Sequence, residues 1–321
     1  MFAQKAIPLE SFYNQDSSLV GFKDVNDKVV YTPQFTQAPQ QLEHIMAVVK
    51  EDKAGKWHYH YMLRSGKILG RDSMYVFDNG FDCENEGFIR FTTKDKTGLF
   101  NRHGAVAIPA EYSSLTRVMN GMVVSLKGAK KVVDGEHYFW DGGTDALLDT
   151  ANHVLIDHFT PSQQIDLYSV KIENNKGTDT LREYFKGTNG KWYSFIVFEK
   201  EFNAWFQKEI LPGLTKENLV KHSMPEITYS DPEATWITQP KEKFIGKNPK
   251  ILQVLSQPYQ LLIEDLNPFL FDPAKYPEYF NNCFTAKSWQ YPVMLVLIDG
   301  NQINFLKTTD GYKLVLVGLN D

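Results

Sequence analysis

The sequence predicts a two-part protein: stacked β-hairpin repeats over residues 1–160, then an α+β region over residues 161–321 with helices ahead of an antiparallel sheet. Three observations carry this expectation. A glycine–strand–turn–strand pattern returns through the first half. A polar, proline-marked joint follows at Phe159-Thr160-Pro161-Ser162-Gln163-Gln164, the composition of a domain boundary. Beyond the joint, apolar residues take a helical period and later alternate with two Asp-Gly turns.

The clearest copy of the pattern places Gly98, Leu99, Gly104, Val106 and Tyr112 in order, and Gly21, Phe22, Asp27, Val29 and Phe35 repeat its spacing. Gly104 and Asp27 tolerate the left-handed geometry that a tight turn demands. The β-branched residues after them suit a half-buried strand. Another copy runs from Lys56-Trp57-His58-Tyr59 through the turn Ser65-Gly66 to Lys67-Ile68-Leu69. A poorer one runs from Leu147-Leu148-Asp149 through Ala151-Asn152 to Val154-Leu155-Ile156. The copies start near residues 21, 58, 98 and 146, a spacing typical of stacked units too small to bury their own apolar faces. Glu86–Phe91 and Asn120–Leu126 read as third strands leading into the next copy.

Over residues 19–159 this pattern resembles the WG-repeat (KWG) proteins, bacterial chains of tandem units that open on Lys-Trp-Gly and close on Pro-x-x-Tyr/Phe. Lys96-Thr97-Gly98, Gly104, Pro109 and Tyr112 match well. Lys56-Trp57 keeps the opening with His58 at the glycine, Val20-Gly21 lacks the tryptophan, and the last copy keeps little beyond its strands. The resemblance implies an architecture and brings no catalytic residue or ligand with it.

In the second half, Lys186–Lys191 reads as a turn into a strand from Trp192 to Phe198. Phe202, Trp205, Phe206 and Ile210 then share one helical face, ended by Pro212-Gly213. Thr215 caps a second helix running to about Met224, Ile251–Leu255 form a third and Tyr276–Phe280 a short fourth. Strands follow over Tyr259–Leu266, Val293–Ile298, Ile303–Lys307 and Tyr312–Val317, with hairpin turns at Asp299-Gly300 and Asp310-Gly311. The closing hairpin is similar to the last hairpin of NTF2-like cone domains.

Composition describes a folded chain: 321 residues, 42% hydrophobic and 14% aromatic, enough to bury two cores. A net charge of −5 without a basic patch argues against nucleic acid as a partner, and no apolar run is long enough for a transmembrane segment. Cys83 and Cys283 read as two separate thiols, with an inter-domain disulfide as the alternative. Met1-Phe2-Ala3-Gln4-Lys5 reads as the tail of a bacterial signal peptide cleaved after Ala3. That would place the protein in the periplasm or outside the cell; an ordinary disordered start of a cytoplasmic protein is the alternative.

Candidate chemistry is sparse. Four carboxylates lie in Asp78-Asn79-Gly80-Phe81-Asp82-Cys83-Glu84-Asn85-Glu86, and Asp82, Glu84 and Glu86 alternate as oxygen ligands for a hard cation would. The spacing is not that of an EF-hand, and a solvated loop is the simpler expectation. His58 and His60 would share one face of a strand, a spacing that suits two imidazoles on one zinc, but no third ligand is apparent. Gly142-Gly143 reads as a hairpin turn. Hydrolase-elbow, zincin, Cys-x-x-Cys and dinucleotide motifs are missing from the sequence, and no cofactor is expected.

The function expected is therefore non-catalytic binding. A repeat platform would offer Trp57, Tyr59 and Tyr75, or a C-terminal cavity, to a protein, peptide, glycan or small apolar ligand. The alternative is an enzyme with an acid/base site drawn from His222, Tyr229, Glu264 and Asp265 in a C-terminal pocket.

Overall fold

The computed structural model describes residues 7–77, 80–230 and 235–319. The expected leader-like start, Met1–Lys5, and the pair Asp78-Asn79 lie outside the described residues. The protein is mostly β, 49% strand against 12% helix. Its contacts divide it into two compact units. One takes the residues up to Thr160 with Phe185–Trp192 and Asn281–Thr285; the other takes Pro161–Tyr184, Tyr193–Phe280 and the chain from Ala286 onward.

In the first unit, β1 (Leu9–Tyr13), β2 (Val20–Lys23), β3 (Val29–Phe35) and β4 (Gln41–Leu42) form a sheet in the order β3-β2-β1-β4. A second sheet follows from β5 (Ile45–Glu51), β6 (Trp57–Leu63) and β7 (Ile68–Leu69), then a ribbon of β8 (Val76–Phe77) and β9 (Gly80–Phe81). A third sheet consists of β10 (Phe88–Thr93), β11 (Lys96–Asn101) and β12 (Val106–Tyr112). β13 (Ser114–Leu115) and β14 (Met122–Lys127) begin a fourth, which the ribbon β15 (Lys130–Asp134) and β16 (His137–Asp141) interrupts before β17 (Thr144–Asp149) and β18 (Val154–Asp157) complete it. All of these pairings are antiparallel.

The residues that open the first and third copies, Gly21 and Gly98, have a common physical setting. Each faces a bulge in the following strand, between Val20↔Phe35 and Phe22↔Tyr31 in one sheet and between Thr97↔Tyr112 and Leu99↔Ile108 in the other. A Cβ at Gly21 would stand 2.6 Å from the Tyr31 carbonyl oxygen and 2.9 Å from the Phe12 ring; at Gly98 it would stand 2.6 Å from the Ile108 oxygen and 2.7 Å from the Phe91 ring. Glycine is needed there for close approach of backbone and ring. The bulge is what brings them together.

Gly142-Gly143 is not the turn of a hairpin. The β15–β16 ribbon turns at Gly135, and the glycine pair sits at its base, where chain entering and leaving the fourth sheet passes close. A Cβ on Gly143 would lie 2.8 Å from both the Lys127 oxygen and the Ala129 nitrogen.

The second unit opens with strands, not helices: β19 (Ile165–Glu173), β20 (Arg182–Lys186) and β21 (Trp192–Val197) form a sheet in the order β19-β21-β20. α1 (Phe198–Trp205) begins on the last residue of the expected strand, and continues as a π turn over Phe206–Ile210 and a 3-10 turn over Leu211–Gly213. Thr215 caps α2 (Lys216–Lys221), accepting from the Asn218 N–H at 3.2 Å. The helix stops short of Met224, which belongs to β22 (Ser223–Ser230). β23 (Trp236–Pro240), α3 (Lys241–Lys247), α4 (Lys250–Leu255) and β24 (Gln260–Glu264) follow; the expected fourth helix is a single 3-10 turn, Pro277–Tyr279. β25 (Val293–Ile298), β26 (Asn301–Thr308) and β27 (Gly311–Gly318) complete a six-stranded sheet in the order β23-β22-β27-β26-β25-β24. It is mixed where a purely antiparallel sheet was expected, because β22 runs parallel to β27.

Alternation along these strands sends side chains to two cores. Phe202, Phe206, Ile210, Phe244 and Leu255 of the helical segments pack on Met294, Val296, Ile303, Phe305 and Leu314 on one face. Leu266, Phe271, Tyr279 and Phe280 cover Val293, Leu306, Val315 and Leu316 on the other. A buried polar knot accompanies them. Lys307 Nζ donates to Asp166 at 2.9 Å and Glu201 at 2.8 Å, and the Tyr312 hydroxyl donates to the same Glu201 oxygen at 2.8 Å. Burial, with the Glu201 charge beside it, pushes the Tyr312 phenol far above its ordinary value.

Candidate functional site

The acidic segment before β10 is not a solvated loop. Asp82 and Glu84 are buried, and each of the three alternating carboxylates has a different partner. Asp82 takes Arg90 through Nε at 2.9 Å and Nη2 at 2.6 Å, and also accepts the Arg90 backbone N–H. Glu84 accepts the N–H groups of His44 and Ile45 at 2.9 Å and meets His44 Nδ1 at 2.6 Å. Glu86 accepts the N–H groups of Asn120 and Gly121. Between them, Cys83 is disulfide-bonded to Cys283, so the two cysteines are not separate thiols, and Cys283 lies within the same unit as Cys83. The segment therefore links β5, β10 and the turn before β14 by charge and hydrogen bonds, and its disulfide joins it to Cys283. Among the described residues, only Glu43, His44 and Glu84 bring three donor atoms within 4.8 Å of one another, and Glu84 is already engaged by three donors there.

Arg90 extends this framework to a ring. Its guanidinium lies 4.2 Å from the centre of Tyr75, Nη1 reaches the Tyr75 hydroxyl at 3.3 Å, and the Tyr75 N–H donates to the Tyr61 hydroxyl. Burial raises the Tyr75 phenol above its ordinary value. Tyr75 is one wall of a groove of about 170 Å³. Tyr138 and Trp140 supply a second aromatic wall from the same face of β16, edge to face at 5.9 Å. Thr92, Asp95, Thr97, Ser113, Ser114 and Lys131 make up the polar lining. Lys131, paired with Trp140 across the ribbon, donates to Asp95 at 2.8 Å while lying 4.3 Å over the Tyr138 ring. Lys96 lies 5.8 Å over Trp140 and donates to Ser113. Half-exposed rings beside fixed hydroxyl, carboxylate and ammonium groups can pack an apolar ligand face and hydrogen-bond its polar rim.

Of the expected aromatic surface, only Tyr75 lines this groove. Trp57 is half exposed on β6, and Tyr59, on the same face of that strand, packs edge-on against Phe81 at 6.5 Å. Tyr138 and Trp140 are the residues that reading by motif misses. The available signal was the alternation His137-Tyr138-Phe139-Trp140 within the longest interval between copies.

His58 and His60 do share a face, beside a cavity of about 280 Å³ that also meets Asp52 and Arg71. His58 Nε2 is 2.8 Å from Asp52 Oδ2, and this contact, with the Ala54 and Lys56 N–H groups, holds the Asp52 carboxyl down at about 2. His60 is buried with Nε2 unpartnered among the described residues, and burial lowers its pKa.

The four residues considered for catalysis do not assemble. Glu264 and Asp265 line a cavity on the six-stranded sheet. His222 is buried edge-on to Trp205, with Nε2 4.0 Å from Glu209, and Tyr229 packs on Phe244 at 5.0 Å. Among the described residues, no helix is long and apolar enough to cross a membrane.

No protein-family model matches the sequence, and no characterised protein shows a significant match to it.

Proposed function

We propose that this chain is a non-catalytic binding protein of the bacterial envelope or secreted space, and that the groove between Tyr75 and the Tyr138–Trp140 wall takes a glycan. The observation that carries the reading is the pairing of partly exposed rings with a polar lining. A pyranose ring has an apolar C–H face that stacks on an aromatic ring and a hydroxyl rim that needs donors and acceptors. Tyr138 and Trp140 suit the first; Asp95, Lys131, Thr92 and Ser114 suit the second. The stacked sheets are the rigid platform of a WG-type repeat region, and rigidity lowers the ordering cost of binding. The Cys83–Cys283 disulfide accords with an oxidising compartment.

The test is a glycan array followed by titration of the best binder into wild type and Trp140→Ala. Saturable binding that weakens at least about tenfold in the variant, the loss of a stacking contact of about 1.5 kcal/mol, is the expected result. Binding untouched by Trp140→Ala and Tyr138→Ala together would remove the groove from the function.

A further inference from the structure

The cavity on the six-stranded sheet has a different chemistry from the groove. It has room for about 160 Å³, and its two charged lining residues, Glu264 and Asp265, are both acidic. Asn304 also lines it, from the middle of β26, paired with Leu295 on one side and Leu316 on the other. Asn304 is 7% exposed, and its Oδ1 has no hydrogen-bond partner among the described residues; its Nδ2 reaches Glu264 Oε2 at 3.5 Å. A buried amide oxygen without a donor is costly, so its presence beside a cavity points to a donor supplied from outside. Asp265 likewise has no side-chain partner among the described residues. Asn267 and Gln302 add two further amides to the lining, and the remaining wall is apolar and aromatic, with Trp236 45% exposed and Phe271 buried.

We propose that this cavity binds a primary alkylammonium group, with Glu264, Asp265 and Asn304 Oδ1 as its three acceptors. An –NH₃⁺ group carries three N–H donors and no acceptor, which complements this set. Calcium takes six to eight oxygens; beyond the three acceptors and the Asn267 and Gln302 amides, the Trp236, Leu266, Phe271 and Val315 side of the cavity offers none. That wall instead suits the methylene chain of an amine, and the Trp236 ring attracts a cation. Glu264 and Asp265 thus act in binding a cation, and no proton transfer is assigned to them.

Calorimetric titration of the full chain with n-pentylammonium chloride tests this, with 1-pentanol as the neutral analogue and calcium chloride as the metal. The expected result is saturable binding of the ammonium, at least about tenfold tighter than the alcohol, as loss of a charge-assisted hydrogen bond implies. Glu264→Gln and Asp265→Asn, both at exposed positions, are expected to weaken it by a similar factor with unchanged circular dichroism. Asn304→Leu should abolish it, and if that variant does not fold, the two carboxyl variants decide. Equal binding of pentanol, indifference to both carboxyl changes, or displacement of the amine by calcium would overturn the proposal. Binding of Nα-acetyl-lysine amide, but not of its Nε-acetyl form, would support it and extend the source to a lysyl side chain.

Discussion

The two units of this protein stabilise β-structure in different ways. In the first, the described apolar core falls into three separate clusters, each shared among small sheets. What specifies the order of those sheets is directional: Asp82 to Arg90, Glu84 to the His44 and Ile45 backbone, Glu86 to the Asn120–Gly121 turn, and a disulfide among them. In the second, one six-stranded sheet buries apolar side chains on both faces; Lys307 gathers Asp166 and Glu201, and buried Arg182 is held separately by Ser169 and Ser194. Small sheets leave too little apolar area to choose among packings. Polar and covalent links then supply the choice.

Six variants, two of them read across a pH titration, would break or sharpen this contrast. The largest effects are expected from one residue of each kind. Asp82→Asn leaves Arg90 buried beside a neutral amide and should cost about 3–5 kcal/mol, with faster hydrogen exchange in β5 and β10 and little change in β25–β27. Phe202→Ala removes a ring packed on Phe206, Phe305 and Tyr312 and should cost about 3–5 kcal/mol, with the opposite exchange pattern. If either variant loosens both units equally, the contrast fails. Cys83→Ser with Cys283→Ser comes next, at about 2–5 kcal/mol, read in urea melts against the wild type under non-reducing conditions.

Acid should act on both units at a finer scale. Burial holds His60 and His222 below the ordinary imidazole value of 6.5. Each stays neutral in the fold while the unfolded chain takes up its proton, so stability falls as pH drops below about 6.5 toward the folded value. His60→Gln should flatten that slope for exchange in the first unit and His222→Gln in the second. A slope unchanged by both would assign acid sensitivity to the carboxylates. The smallest effect on stability, within about 0.5 kcal/mol, is expected for Trp140→Ala, so its loss of ligand can be read as loss of contact.

The hairpins of the first unit were legible because their turns are local. Gly104, Asp27, Gly66 and Asn152 all adopt positive φ, a demand that the residue type itself announces. The Asp299-Gly300 turn was legible for the same reason. β22 was not, because its parallel partner, β27, lies far along the chain and Pro225 interrupts its alternation, where the register also shifts. The acidic segment was seen but misjudged. Alternating carboxylates look solvated until Arg90, on the next strand, and His44 and Gly121, both remote in sequence, are brought to them. Of the groove, only Tyr75 was foreseen; Gly142-Gly143 reads as a hairpin turn, and no role falls to Trp140 just before it.

That glycine pair has a consequence for how such a protein could change. Lys127 and Thr144 are already partners across neighbouring strands, so residues 128–143 could be exchanged for a two-residue turn without moving either strand. The β15–β16 ribbon is thus a removable cassette. Recognition could diversify by swapping it while the sheets beneath evolve under separate constraint.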